Sequence, residues 1–161
     1  MSRCQSNRQH LKRISLYNQS FTGGNMINQP NILYVEDDAK SRKVMQMLLV
    51  SVMRLPHVTI FEDSVDFLKR AKNLDPKPDI ILMDIHLQPH NGFEMLEMLR
   101  QSSHFQHTPV VALTASVMNE EVEQLQSAGF DGCIAKPVDM DVFPELLDLI
   151  LDGKKIWRIV S

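Results

Sequence analysis

Four short segments of this chain hold residue types suited to phosphorus chemistry: Glu36-Asp37-Asp38, Asp84, Thr114-Ala115 and Lys136-Pro137. A carboxylate such as Asp84 can attack a phosphoryl group and form an acyl phosphate, provided positive charge absorbs the negative charge on the phosphoryl oxygens. Lys136 supplies an ammonium for that purpose, and Thr114 a hydroxyl that can donate to a phosphoryl oxygen, with the small Ala115 leaving room beside it. Crowded carboxylates raise one another's pKa and are costly without a cation. Mg2+, or the similar Mn2+, suits such oxygen ligands. Taken singly, each segment has a plainer reading: the acidic triplet as compensation of a helix macrodipole, the threonine or lysine as a structural or solvated strand end. The chemical reading rests on all four sharing one edge.

The elements that would place them there are legible as a rhythm of short apolar runs alternating with amphipathic stretches. Strands are expected at Ile32–Val35, Val58–Phe61, Asp79–Met83, Pro109–Leu113 and Gly132–Ala135, and helices at about 39–54, 64–73, 91–101, 118–128 and 139–151. Val44, Met47, Leu48 and Val52 lie at helical spacing in the first helix. Asp63 or Ser64, Asn91 and Asn119 are expected as caps of the second, third and fourth helices, with Gly129 ending the fourth. Strand and helix alternating in this way imply an α/β domain: a five-stranded parallel sheet with five crossover helices covering both faces. Ligands of such sheets gather at the carboxyl ends of the strands, and the four segments fall immediately after the first, third, fourth and fifth strands.

At 161 residues, with 43% apolar and 23% charged, the chain suits one soluble domain, expected over 31–152, and no apolar run reaches membrane-spanning length. Residues 153–161 are expected as a short tail. Residues 1–30 carry Arg3, Arg8, Lys12 and Arg13 and no acid, so the net charge of −3 leaves −7 for the rest. This leader has no regular periodicity and is expected to be disordered, most simply an extension before a start at Met26; a nucleic-acid tether or transit-like arm is the alternative. The acidic body argues against direct nucleic-acid binding. Two cysteines, Cys4 and Cys133, without metal-ligand spacing, fit a reducing cytoplasm, and Cys133 reads as a buried strand residue rather than a redox sensor.

The segments ILYVEDD, DIILMDIHLQPHNG, PVVALTA and CIAKPV resemble, in order and spacing, those of bacterial response-regulator receiver domains. The intervals of 30 residues from Asp84 to Thr114 and 22 from Thr114 to Lys136 are similar to the family's. The resemblance implies a doubly wound five-stranded domain of flavodoxin-like, CheY-like fold with strand order 2-1-3-4-5. It implies Asp84 as phosphoacceptor, Asp37 binding Mg2+ directly and Glu36 through water, and the main-chain oxygen of His86 as a further metal ligand. Thr114 and Lys136 fall on the family's switch hydroxyl and lysine. A histidine kinase or histidine phosphotransfer protein would be the donor. The face of the fourth helix, fifth strand and fifth helix, about residues 115–150, would meet a downstream protein; a homodimer is compatible with the family. His86 and Ser116 occupy positions that tune loss of the phosphoryl group.

Two departures stand out: Pro89 comes one place later than in the commonest pattern, and Cys133 replaces a frequent aromatic switch residue. Two other functions share these ingredients. A phosphorylation-independent scaffold would be favoured by loss of an acid, the threonine or the lysine, and none is lost. A Mg2+-dependent phosphohydrolase with an aspartyl nucleophile is opposed by the absence of Asp-x-Asp-x-Thr around Asp84.

Overall fold

A computed structural model describes residues 29–116 and 118–158. The leader expected over 1–30 lies almost wholly outside the described residues. The strands are β1 (Ile32–Val35), β2 (Val58–Phe61), β3 (Ile80–Asp84), β4 (Val110–Thr114), β5 (Gly132–Ala135) and β6 (Ile156–Arg158). They form one parallel sheet in the order β2-β1-β3-β4-β5-β6. The helices are α1 (Ala39–Gln46, continuing as a wider π-type turn over Met47–Val52), α2 (Phe67–Lys72), α3 (Gly92–Gln101), α4 (Asn119–Ala128) and α5 (Phe143–Leu151).

Strand alternation sends successive residues to opposite faces, and each face has its own core. Leu33, Val35, Ile81 and Met83 pack with α2, α3 and α4 on one side. Ile32, Tyr34, Ile80 and Leu82 pack with α1 and α5 on the other. Every residue of β1, β3, β4 and β5 is buried, as a sheet covered on both faces requires. None of the helices among the described residues is long and apolar enough to cross a membrane.

Among the described residues the expected five strands become six. After α5 the chain turns at Gly153, with φ at +84°, and Ile156–Arg158 pairs in parallel with Gly132, Cys133 and Ile134. The tail expected over 153–161 thus holds an edge strand that satisfies backbone groups β5 would otherwise leave open. A Cβ on Gly132 would lie 2.7 Å from the Ile156 carbonyl oxygen, so the close approach of β6 depends on glycine there.

The helix boundaries bring further corrections. The second helix begins only after Asp66, a non-glycine residue at φ +48°, so neither Asp63 nor Ser64 caps it. Asn119 is the first residue of α4 rather than its cap, which Met118 occupies without a side-chain bond. Asn91 does cap α3, its side chain accepting from Glu94 while Glu94 returns a bond to the Asn91 N–H. Gly129, at φ +99°, ends α4.

Candidate functional site

Asp84 is the last residue of β3 and pairs with Leu113, so Thr114 follows it one step along the neighbouring strand. Thr114 pairs with Ala135, and the Lys136 N–H donates to the Thr114 carbonyl at 2.7 Å. Glu36 follows β1 directly, its N–H bonded to the Phe61 carbonyl of β2 at 3.0 Å. The parallel register therefore brings these three strand ends and Lys136 to one edge.

There, one carboxylate oxygen from each of Glu36, Asp37 and Asp84 lies within 4.8 Å of the others. Glu36 and Asp84 are buried and Asp37 is exposed. The Lys136 ammonium stands 2.9 Å from Glu36 Oε2 and 3.3 Å from Asp84 Oδ2. The other oxygen of Asp84, Oδ1, accepts the His86 N–H at 3.2 Å, which fixes the carboxylate's orientation.

Glu36 would be intolerable as an isolated buried charge, and three donors answer it. Tyr34 O–H reaches Oε2 at 3.2 Å, the Asp38 N–H reaches Oε1 at 3.1 Å, and Lys136 completes the set. Burial still outweighs these bonds and, with the nearby charge of Asp84, holds the Glu36 carboxyl above its ordinary range. Tyr34 is pushed up as well, by burial first and then by the Glu36 charge. Burial alone would pull the Lys136 ammonium down, but its bond to Glu36 and the charge of Asp84 carry it up. Burial and the facing charges thus act together, and the three carboxylates against one ammonium leave this cluster, among the described residues, with an excess of two negative charges. Hard oxygen donors carrying that excess fit a small divalent cation such as Mg2+.

Asp38, outside the cluster, caps α1 by accepting from the Ser41 N–H at 2.6 Å, and that contact lowers its pKa. Arg42 bonds the carbonyls of Glu36 at 3.0 Å and Asp37 at 2.6 Å, holding the backbone that presents the acids.

Thr114 is buried at the same edge, yet its hydroxyl faces α4: Oγ1 lies 2.7 Å from Glu121 Oε1 and 3.1 Å from the Ser116 carbonyl, and accepts the Ser116 N–H at 3.1 Å. Among the described residues it makes no hydrogen bond to the acids or to Lys136. Cys133 is buried, its thiol pushed up to about 11 by burial and then by the charge of Glu121. The loop after Asp84 contains a cis Gln88–Pro89 bond.

Tyr34, Arg42 and Glu121 serve the site without belonging to any of the four chemical segments. Tyr34 stands two residues before Glu36, a spacing that puts strand side chains on one face and could have signalled it. Glu121 gave no such signal, because its contact with Thr114 depends on how α4 folds back.

The family model for the response regulator receiver domain matches residues 32–148. The histidine-protein kinase BarA of Escherichia coli is 32% identical over 116 residues, 72% of this chain but 12% of that protein, so the chain spans a small part of its relative. The receiver domain of a sensor histidine kinase from Pseudomonas aeruginosa, solved with a magnesium ion in its active-site cleft, is 28% identical with a TM-score of 0.62. That likeness covers 77% of this chain and 95% of that one. A chemotaxis response regulator of Vibrio cholerae, at 22% identity, has the same fold, with a TM-score of 0.66 over 76% of this chain and 99% of that one.

Proposed function

Because the chain belongs to the response regulator receiver domain family, we propose that it is a phosphoacceptor of two-component signalling, with Asp84 taking the phosphoryl group from a histidine kinase or histidine phosphotransfer protein. The observation that carries this reading is the meeting of the Glu36, Asp37 and Asp84 carboxylates within 4.8 Å, with the Lys136 ammonium 3.3 Å from Asp84.

An Asp84 carboxylate oxygen forms the new bond to phosphorus while the bond from phosphorus to the donor's imidazole nitrogen breaks, its electron pair returning to the ring. Lys136 stands where negative charge on the phosphoryl oxygens would accumulate, and the His86 N–H keeps the acceptor from rotating away. Asp37, Asp84 and the main-chain oxygen of His86 would hold Mg2+ directly, with Glu36 acting through water. When bound, the ion supplies charge neutralisation for the transferred group. The Thr114 hydroxyl donates to a phosphoryl oxygen after transfer.

Signalling then proceeds by a change in affinity for a partner protein. The surface we assign to it comprises α4, β5 and α5; since β6 pairs along β5, a partner meets β6 rather than a free β5 edge.

Intact-mass spectrometry after incubation with Mg2+ and acetyl phosphate or phosphoramidate tests the reading. A gain of about 80 Da, for one phosphoryl group, is expected in the wild type and lost in Asp84→Asn and in EDTA. No adduct under any condition, together with no binding of beryllofluoride, would overturn it in favour of a phosphorylation-independent scaffold.

A further inference from the structure

The Thr114 hydroxyl has one hydrogen and, among the described residues, two acceptors within reach. The Ser116 carbonyl, at 3.1 Å, is neutral and close in sequence; Glu121 Oε1, at 2.7 Å, is a carboxylate on another element. The shorter, charge-assisted contact takes the hydrogen. Glu121 lies in the first turn of α4, half-buried, and makes no ion pair among the described residues. Its charge also reaches the Cys133 thiol on β5. Trp157, the chain's sole tryptophan, pairs with Cys133 from β6 and packs into the core that includes Leu125 of α4.

We propose that Glu121 is a positioning residue that holds the Thr114 hydroxyl toward α4 in the resting state and competes for its single hydrogen with a phosphoryl group on Asp84. The inference rests on the reading of Asp84 as phosphoacceptor. When Thr114 turns to a phosphoryl oxygen, Glu121 loses its donor. A half-buried carboxylate without a donor is costly, so it moves toward water and carries the first turn of α4 with it. Occupancy at Asp84 is thereby read out at α4. No aromatic residue at position 133 is needed for this route, because the carboxylate connects β4 to α4 directly.

The competition makes a quantitative claim. Beryllofluoride with Mg2+, a phosphoryl mimic, is titrated into the full chain and followed by fluorine NMR of the bound species, with Trp157 emission as a second readout. Glu121→Ala removes the competitor and should tighten binding roughly tenfold, the effect of one hydrogen bond to a charged group. Glu121→Gln keeps an acceptor oxygen without the charge and should fall between wild type and Glu121→Ala. In a Thr114→Val background Glu121→Ala should change affinity by less than about twofold, because the effect runs through the hydroxyl and residues in direct contact are not additive. A merely structural role for Glu121 would not vanish with the Thr114 hydroxyl.

The proposal is overturned if Glu121→Ala and Glu121→Gln bind as the wild type does, or if tightening persists without the hydroxyl. Thermal melts accompany each variant, and should Glu121→Ala fail to fold, the nearly isosteric Glu121→Gln decides. Saturable binding by wild type with no dependence on Glu121 sinks this inference alone. No saturable binding by wild type sinks the phosphoacceptor reading, and this inference with it.

Discussion

Replacing Lys136 by Met removes the one ammonium that, among the described residues, contacts the acidic cluster. At an effective dielectric constant of about 20, its contacts at 2.9 Å to Glu36 and 3.3 Å to Asp84 are worth roughly 6 and 5 kcal/mol before desolvation. The repulsion between Glu36 and Asp84, at no more than 4.8 Å, is at least about 3.5 kcal/mol on the same footing. Pairs involving the exposed Asp37 are screened and add little. Much of the ammonium's attraction is consumed in desolvating it. The net cost of breaking such a buried pair is therefore about 3–5 kcal/mol. Tyr34 and the Asp38 N–H still serve Glu36, so the lower end, about 3 kcal/mol, is expected.

The cost should depend on pH with a definite sign. Burial already raises the Glu36 carboxyl in the fold, so the folded chain binds that proton more readily than the unfolded chain does. Stability from this group is fully present below its unfolded pKa of roughly 4.3 and is lost as pH rises through the folded value. Removing the Lys136 hydrogen bond raises the folded value further and widens that window upward. Urea unfolding in EDTA should therefore show a larger deficit at pH 8 than at pH 5, with the midpoint at pH 8 lower by about 1–2 M. Mg2+ should restore more stability to the variant than it adds to the wild type, because the excess negative charge has grown. A deficit below about 1 kcal/mol at pH 8, or an equal one at both pH values, would refute this account of the cluster.

Tyr34→Phe removes one of the three donors to the buried Glu36 carboxylate and should cost about 1–3 kcal/mol in urea unfolding at pH 7; unchanged stability would mean that the hydroxyl does not serve Glu36. Gly132→Ala places a methyl group 2.7 Å from the Ile156 carbonyl oxygen, so β6 should separate from β5 at a cost of about 1–3 kcal/mol, with Trp157 emission shifting to the red; an unshifted spectrum would show that the sheet edge adjusts instead.

The apolar runs of β1, β2 and β5 are legible to the residue, while β3 and β4 each lie one residue later than expected. The reason is that Asp84 and Thr114 are polar, and polarity reads as the end of a buried strand. Backbone pairing is indifferent to it: Asp84 still pairs with Leu113, and Thr114 with Ala135. The two site residues that belong to strands are thus the ones the hydrophobic pattern excludes from the sheet. β6 escaped because three residues carry no periodicity, and α2 began late because a left-handed Asp66 has no sequence signature. The meeting of Glu36, Asp37, Asp84 and Lys136 was legible because strand ends in a parallel sheet converge by topology. The Thr114 to Glu121 bond was not, because it depends on a side chain reaching back from a helix.

The order of the strands also divides the work between the two donors. With neighbours about 4.8 Å apart, β1 and β5 are separated by three intervals, or roughly 14 Å. Lys136 nonetheless contacts Glu36, so its side chain must extend across the ends of β4 and β3, a reach that a short donor lacks. Thr114, on the strand beside Asp84, acts over a single interval with a stiff β-branched side chain. If a phosphoryl group draws Lys136 fully to Asp84, Glu36 Oε2 keeps Tyr34 O–H and Oε1 keeps the Asp38 N–H. The buried acid thus keeps two of its three donors when the ammonium shifts. Among the described residues no second donor reaches the Glu121 side chain, so movement of the hydroxyl, rather than of the lysine, is what would force a rearrangement beyond the site.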